Sequence, residues 1–134
     1  MQQTTQEGDI LGQPRPSNNL PVQIRVASHG LKDKRYRISR MGALLCESKP
    51  YRASDSAVKA LKAVKSRLAK RKVLEAPSGK WHVKVASGNG SIVMESVEFD
   101  SEQEAETAMA DLQAFFDAGG RVEMATGRSK PLKL

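Results

Sequence analysis

The chain has 134 residues, of which 28% are charged and 39% apolar, and its formal net charge is +7. No apolar run approaches the roughly 18 residues that a membrane-spanning helix requires, and a single cysteine, Cys46, excludes both an intrachain disulfide and a zinc site built from several cysteines. Residues 1–19 are polar and lack the basic-then-apolar order of a signal peptide, so we expect a cytoplasmic protein.

The pattern of apolar and polar residues in the first half of the chain predicts three strands and a helix. Residues 22–27 alternate apolar and polar, the period of a half-buried strand, and a loop follows at 28–33. Residues 35–40 and 43–48 then form a hairpin. A helix follows from an N-cap at Ser54 to about Arg71. Its apolar residues recur at i, i+4, i+7 and i+11, which makes one buried stripe: Ala57, Leu61, Val64 and Leu68.

The second half predicts the same order of elements. A short strand at 72–75 precedes an alternating strand at 81–85, a turn at 88–90 and a returning strand at 91–99. Asp100 or Ser101 can cap the second helix, which a glycine pair ends. The apolar stripe of this helix consists of Ala105, Met109, Leu112 and Phe116.

A repeat with an offset of 48 residues links the two halves. Glu47-Ser48 recurs as Glu95-Ser96, and Tyr51 recurs as Phe99. Upstream, residues 36–38 align with residues 81–83 if the first hairpin is three residues shorter. Most matched positions are apolar, which is typical of two copies that keep a core and diverge outside it.

These elements predict an α+β fold of two tandem β-β-β-α units, with two helices packed on an antiparallel sheet. The predicted boundaries are a disordered leader at 1–21, a first repeat at 22–77, a second repeat at 78–126 and a disordered basic tail at 127–134.

Several short motifs follow one another in the second half: an aromatic-led strand from Trp81, the turn Gly88-Asn89-Gly90, a returning strand ending near Ser96, and Phe99 before a helix. This order resembles the YegP-like family, whose members contain tandem β-β-β-α units. The first half is similar but lacks the Asn-Gly turn. The resemblance covers about residues 22–124 and implies the fold, whereas the family brings no established activity.

No pattern of residues indicates catalysis or a metal site. His29 falls in a loop and His82 on a strand, and neither has a His, Cys or acidic neighbour at a metal-binding spacing. Cys46 is expected to be a small buried side chain. The glycines at 88–90 are not followed by the Lys-Ser/Thr pair of a phosphate loop. We therefore expect no enzymatic activity, no cofactor and no metal.

Charge is distributed unevenly along the chain. Residues 22–77 contain 15 Lys and Arg against 4 Asp and Glu, whereas residues 78–126 contain 3 against 9. Such polarity favours anionic partners at one end and allows head-to-tail self-association.

The leading functional hypothesis is therefore binding of DNA or RNA by the basic first repeat. Tyr36 could add a stacking surface for a base, with core packing as the alternative reading. The residues predicted to neutralise phosphates, if they lie on one face, are Arg35, Arg37, Arg40, Lys59, Lys62, Lys65, Lys70 and Arg71. A purely solvated helix face is the alternative for the lysines.

The rival hypothesis is a protein-binding module, such as a small inhibitor or adaptor. It would act through sheet edges or through its charged faces. The acidic second repeat favours this hypothesis, because simple binding of nucleic acid does not require it.

Overall fold

The computed structural model describes residues 21–125 and 131–134. This part of the chain belongs to the α+β class that the sequence predicts. Its elements in chain order are β1 (Val22–Gly30), β2 (Asp33–Arg40), β3 (Ala43–Glu47), α1 (Ser54–Arg67) with a 3-10 turn (Leu68–Lys70), β4 (Lys72–Glu75), β5 (Trp81–Ala86), β6 (Ile92–Glu95), α2 (Glu102–Asp117), β7 (Arg121–Ala125) and β8 (Leu132–Lys133).

The strands form two sheets in the orders β3-β2-β1-β7-β8 and β4-β5-β6. A bridge between Cys46 and Ser96 joins the sheets at the β3 and β6 edges. Neighbouring strands are antiparallel except β1 and β7, which pair in parallel with Ile24 opposite Val122. The prediction of an antiparallel sheet is therefore wrong for this pair. Strand β7 follows α2, and this helix returns the chain to β1 in the direction that parallel pairing needs.

One hydrophobic core contains side chains from both sheets and both helices. The predicted stripe of α1 is buried, and so is that of α2. Apolar residues alternate with exposed ones along β1, as a strand buried on one face requires. Within the described residues, both halves therefore contribute to the same core.

The helix ends differ in how they are capped. At α1 the N-cap is Ala53, without a side-chain hydrogen bond, so the prediction of Ser54 as the cap is wrong. Ser54 is already in the first helical position, because the extended backbone of Ala53 directly precedes it. At α2 the predicted cap is confirmed: Ser101 Oγ accepts from Glu104 N at 3.1 Å, and Glu104 Oε1 accepts from Asp100 N at 3.2 Å.

The predicted boundary between the two repeats, after residue 77, does not coincide with the division of the strands into two sheets. Strand β4 lies before residue 78 but pairs with β5 of the second sheet. Within the tail predicted to be disordered, residues 132–133 form β8, and Leu132 pairs with Val122. The ladder with β7 supplies the hydrogen bonds that order these residues. The rest of the tail prediction, at residues 127–130, and the leader prediction at 1–20 lie outside the described residues.

Gly120 offers a test of the packing at the end of α2. A Cβ at this position would lie 2.5 Å from Cζ of the buried Phe115 ring. We expect Gly120→Ala to lower the free energy of unfolding by about 1–3 kcal/mol, because the ring must shift within a packed core. Urea denaturation measures the change.

The matched control is Gly88→Ala, because a Cβ at Gly88 meets no atom within 4 Å. We expect this variant to change stability by less than about 0.5 kcal/mol. Equal midpoints for the two variants would contradict the packing argument.

Candidate nucleic-acid interface

The arginines of β2 lie on two different faces of the first sheet. Tyr36 and Ile38 are buried against the helices, so Arg35 and Arg37, which alternate with them, lie on the opposite face. Both arginines are paired there. Arg35 Nε is 2.8 Å from Asp33 Oδ1, and Arg37 Nη2 is 2.6 Å from Glu47 Oε2. The structure therefore does not bring these two arginines onto the surface that α1 presents.

These ion pairs also lower the pKa values of the two carboxyl groups. The hydrogen bond from Arg37 holds the pKa of Glu47 below its ordinary value, and the hydrogen bond from Arg35 does the same for Asp33. Both carboxylates are consequently ionised at neutral pH. They offset much of the positive charge of the arginines on this face.

Two further predicted residues pair with acidic side chains of α2. Arg40 Nε lies 2.7 Å from Asp111 Oδ2, and Arg71 Nη2 lies 2.8 Å from Glu106 Oε1. Some basic side chains of the first half therefore form ion pairs with acidic side chains of the second half. Part of the acidic character of the second half is therefore explained by contacts inside the fold.

The four predicted lysines have a different environment, and we call them the lysine row: Lys59, Lys62, Lys65 and Lys70. All four are exposed, and none has an Asp or Glu carboxylate oxygen within 4.0 Å among residues 21–125 and 131–134. Lys65 Nζ donates to the backbone oxygen of Leu134 at 3.1 Å. Residues 54–72 contain seven basic residues and one acidic residue, Asp55. The row is therefore a cationic surface that no Asp or Glu side chain of the described residues neutralises.

Tyr36 is unavailable for stacking on a base. Its side chain is fully buried, and its hydroxyl donates to the carbonyl of Val93 in β6. The stacking hypothesis for Tyr36 is therefore wrong, and its alternative, core packing, is what the structure has. Burial raises the pKa of Tyr36, and it raises that of the neighbouring Cys46 thiol to about 12. Cys46 is protonated at neutral pH and is not an activated nucleophile.

The serine of each repeated Glu-Ser pair hydrogen-bonds to the backbone in its half of the chain. Ser48 Oγ accepts from Tyr36 N at 3.0 Å and donates to Lys49 O at 2.8 Å. Ser96 Oγ accepts from Val83 N at 2.9 Å and donates to Val97 O at 2.8 Å. The sequence shows that the Glu-Ser pair recurs, but it does not show which backbone groups the serines bind.

These hydrogen bonds correct the alignment upstream of the serines. By its hydrogen bond to the serine, Tyr36 matches Val83, whereas the alignment of the sequence pairs it with Trp81. The serine follows its backbone donor by 12 residues in the first half and by 13 in the second, so the first hairpin is one residue shorter rather than three. Each hairpin contains a register shift, between Ile38 and Ser39 and between Val85 and Ala86. Such irregularities change the number of residues in a hairpin, so spacing along the sequence alone does not give the matching positions.

The histidines do not form a site with other ionisable groups. His29 is exposed, and His82 Nε2 is 3.8 Å from Glu95 Oε2. In the described ranges, no group of three or more His, Cys, Asp or Glu side chains could hold a metal ion. No helix in those same ranges is both long and apolar enough to cross a membrane.

Comparison with known proteins gives a likeness of fold. No protein-family model matches the chain, and no curated protein matches it. The solution structure of YegP from E. coli, a protein of unknown function, has a TM-score of 0.68 at 20% identity, over 82% of this chain and 97% of that one. A UPF0339 protein from Shewanella oneidensis has a TM-score of 0.69 at 12% identity, over 80% and 93%. The chain therefore has the fold of YegP, as the resemblance of its motifs implied.

Proposed function

We propose that this protein binds nucleic acid through the lysine row and catalyses no reaction on it. The observation that supports the proposal most is that no Asp or Glu side chain of the described residues pairs with the row. Lys59, Lys62 and Lys65 follow each other at intervals of three residues, and like charges at this spacing destabilise a helix by about 0.2–0.5 kcal/mol per pair. A polyanion that binds along the row would relieve this repulsion and release its own counterions.

The four predicted arginines have a smaller part in this proposal. Arg35, Arg37, Arg40 and Arg71 already hydrogen-bond to carboxylates. A phosphate would have to compete with those carboxylates, whereas it would compete only with water at Lys59, Lys62 and Lys70. We therefore assign phosphate neutralisation to the lysine row.

We also propose that the two halves are tandem copies of one β-β-β-α unit, β1-β2-β3-α1 and β4-β5-β6-α2. The matching hydrogen bonds of Ser48 and Ser96 support this proposal. So do two equivalent bridges, one between Lys34 and Tyr51 and one between Trp81 and Phe99. Residues 100–117, which include α2, contain six acidic residues and no basic one. On this view only the first copy keeps a cationic helix.

A pair of matched double variants tests the binding site. We expect Lys59→Gln/Lys62→Gln to weaken binding of nucleic acid about tenfold at 50 mM salt and to flatten the salt slope by about 1.8, because two phosphate contacts are lost. Fluorescence anisotropy across a salt series measures both quantities.

The control is Arg35→Gln/Arg37→Gln, which removes the same charge from the opposite face of the first sheet. It should change the salt slope by less than about 0.5. Equal losses in the two variants would mean that net charge, and not the row, governs binding. No binding by the unmodified protein at low salt would refute the proposed function.

One observation favours the second candidate, a protein-binding module. Strand β4 has a neighbour on one side only in the sheet order of the described residues, so its other edge is open to strand addition. A stable partner captured after nuclease treatment, together with no binding of nucleic acid in the anisotropy assay, would favour this candidate.

A further inference from the structure

We infer that the ligand of the lysine row is the phosphate backbone of duplex nucleic acid rather than a single strand. The inference rests on the proposed function and names the class of ligand that the same site would bind.

The positions of the aromatic side chains argue against a single strand. Proteins that bind single strands stack successive bases on exposed aromatic rings. The chain has six aromatic residues, and all lie in the described part. Three are buried and three are half-buried, and none belongs to α1: Tyr36, Phe115 and Phe116 are buried, while Tyr51, Trp81 and Phe99 are half-buried. An unpaired base at the row would find no ring to stack on.

The exposed side chains between the lysines are short and include no Asn or Gln. Ser66 and Ala69 are exposed beside the row, so short side chains separate the cations. Helix α1 contains no Asn or Gln, and its one arginine, Arg67, is half-buried with Nε 3.4 Å from the carbonyl oxygen of Ala86. Helix α1 therefore lacks the Asn or Gln that reads adenine, and its arginine is engaged with the backbone of β5. Contacts to phosphates position a duplex without reading its sequence.

The row also suits the spacing of phosphates in a duplex. From Lys59 to Lys70 it extends about 18 Å, at about 1.5 Å per residue along α1 and about 2.0 Å per residue in the 3-10 turn. Each strand of a duplex presents one phosphate per about 3.4 Å of its axis, so the row lies within reach of several phosphates on one or both strands. In a duplex the bases remain paired, so the lysines need to contact only the charged phosphates.

Release of counterions favours the duplex further. Each neutralised phosphate contributes about 0.9 to the salt slope for a duplex and about 0.7 for a single strand. Four contacts therefore give slopes of about −3.6 and −2.8. Between 50 and 200 mM salt, the affinity should fall about 150-fold for a duplex and about 50-fold for a single strand.

The test compares ligands of equal length on the full chain by fluorescence anisotropy between 50 and 200 mM salt. The ligands are a 20-base-pair DNA duplex, an RNA duplex of the same sequence, and the separate strands of each. We expect either duplex to bind at least about tenfold more tightly than its strands at 50 mM salt, with a slope near −3.6. The duplex with the higher affinity, DNA or RNA, identifies the kind of nucleic acid that the protein prefers.

A single strand that binds as tightly as its duplex, or more tightly, would overturn the inference and leave the proposed function standing. No binding of any ligand at 50 mM salt would refute both. A duplex preference that survives in Lys59→Gln/Lys62→Gln with an unchanged slope would place the duplex elsewhere on the protein and would overturn the inference as well.

Discussion

Replacing Tyr36 by alanine is expected to lower the free energy of unfolding by about 3–5 kcal/mol. This loss is a large part of the roughly 5–15 kcal/mol that keeps a domain folded. Tyr36 is fully buried in β2, and its hydroxyl donates to the carbonyl of Val93 in the second sheet. Alanine would leave a cavity between the sheets and a carbonyl group without its donor. Urea denaturation followed by far-UV circular dichroism measures the change.

Tyr36→Phe separates the two contributions, because it keeps the ring and removes only the hydroxyl. We expect it to cost about 1 kcal/mol, the ordinary contribution of one hydrogen bond. If the phenylalanine variant were as unstable as the alanine variant, the packing of the ring could not be the main contribution.

The second large effect is expected at the repeated serines. Ser48→Ala and Ser96→Ala should each cost about 1–3 kcal/mol, because each leaves a buried backbone N–H without its acceptor. The N–H groups concerned are those of Tyr36 and Val83. Thermal or urea denaturation of each single variant gives the value.

Ser66→Ala is the matched control, since the exposed Ser66 hydroxyl donates only to the carbonyl of Ala63 in its own helix. We expect a change of less than about 0.5 kcal/mol there. A cost at Ser66 as large as that at Ser96 would show that burial is not the reason for the effect.

The elements of the fold could be predicted from local patterns, but some of their partners could not. Alternation along β1 and the apolar stripes of both helices depend only on nearby residues, and both predictions are confirmed. The parallel pairing of Ile24 with Val122 joins distant parts of the chain. A strand pattern shows which face is buried and not which strand lies beside it.

The candidate site could be predicted only in part for a similar reason. The lysine row follows from the spacing of residues along α1 and the 3-10 turn that continues it. The partners of the arginines do not, because Asp111 is 71 residues from Arg40 and Glu106 is 35 residues from Arg71. One signal was available in the sequence: if Tyr36 faces the core, the alternation of β2 places Arg35 and Arg37 on the other face.

The parallel pairing of β1 with β7 also has a consequence for how the protein is made. Strand β1 is among the first parts of the described chain to leave the ribosome. Its neighbour on one side, β7, begins only at Arg121. At about 5–20 residues per second, one edge of β1 has no partner for about 5–20 s during synthesis. Through that interval the apolar side chains of Val22, Ile24 and Val26 adjoin an open strand edge, which is the kind of surface that recruits chaperones or pairs with other nascent chains.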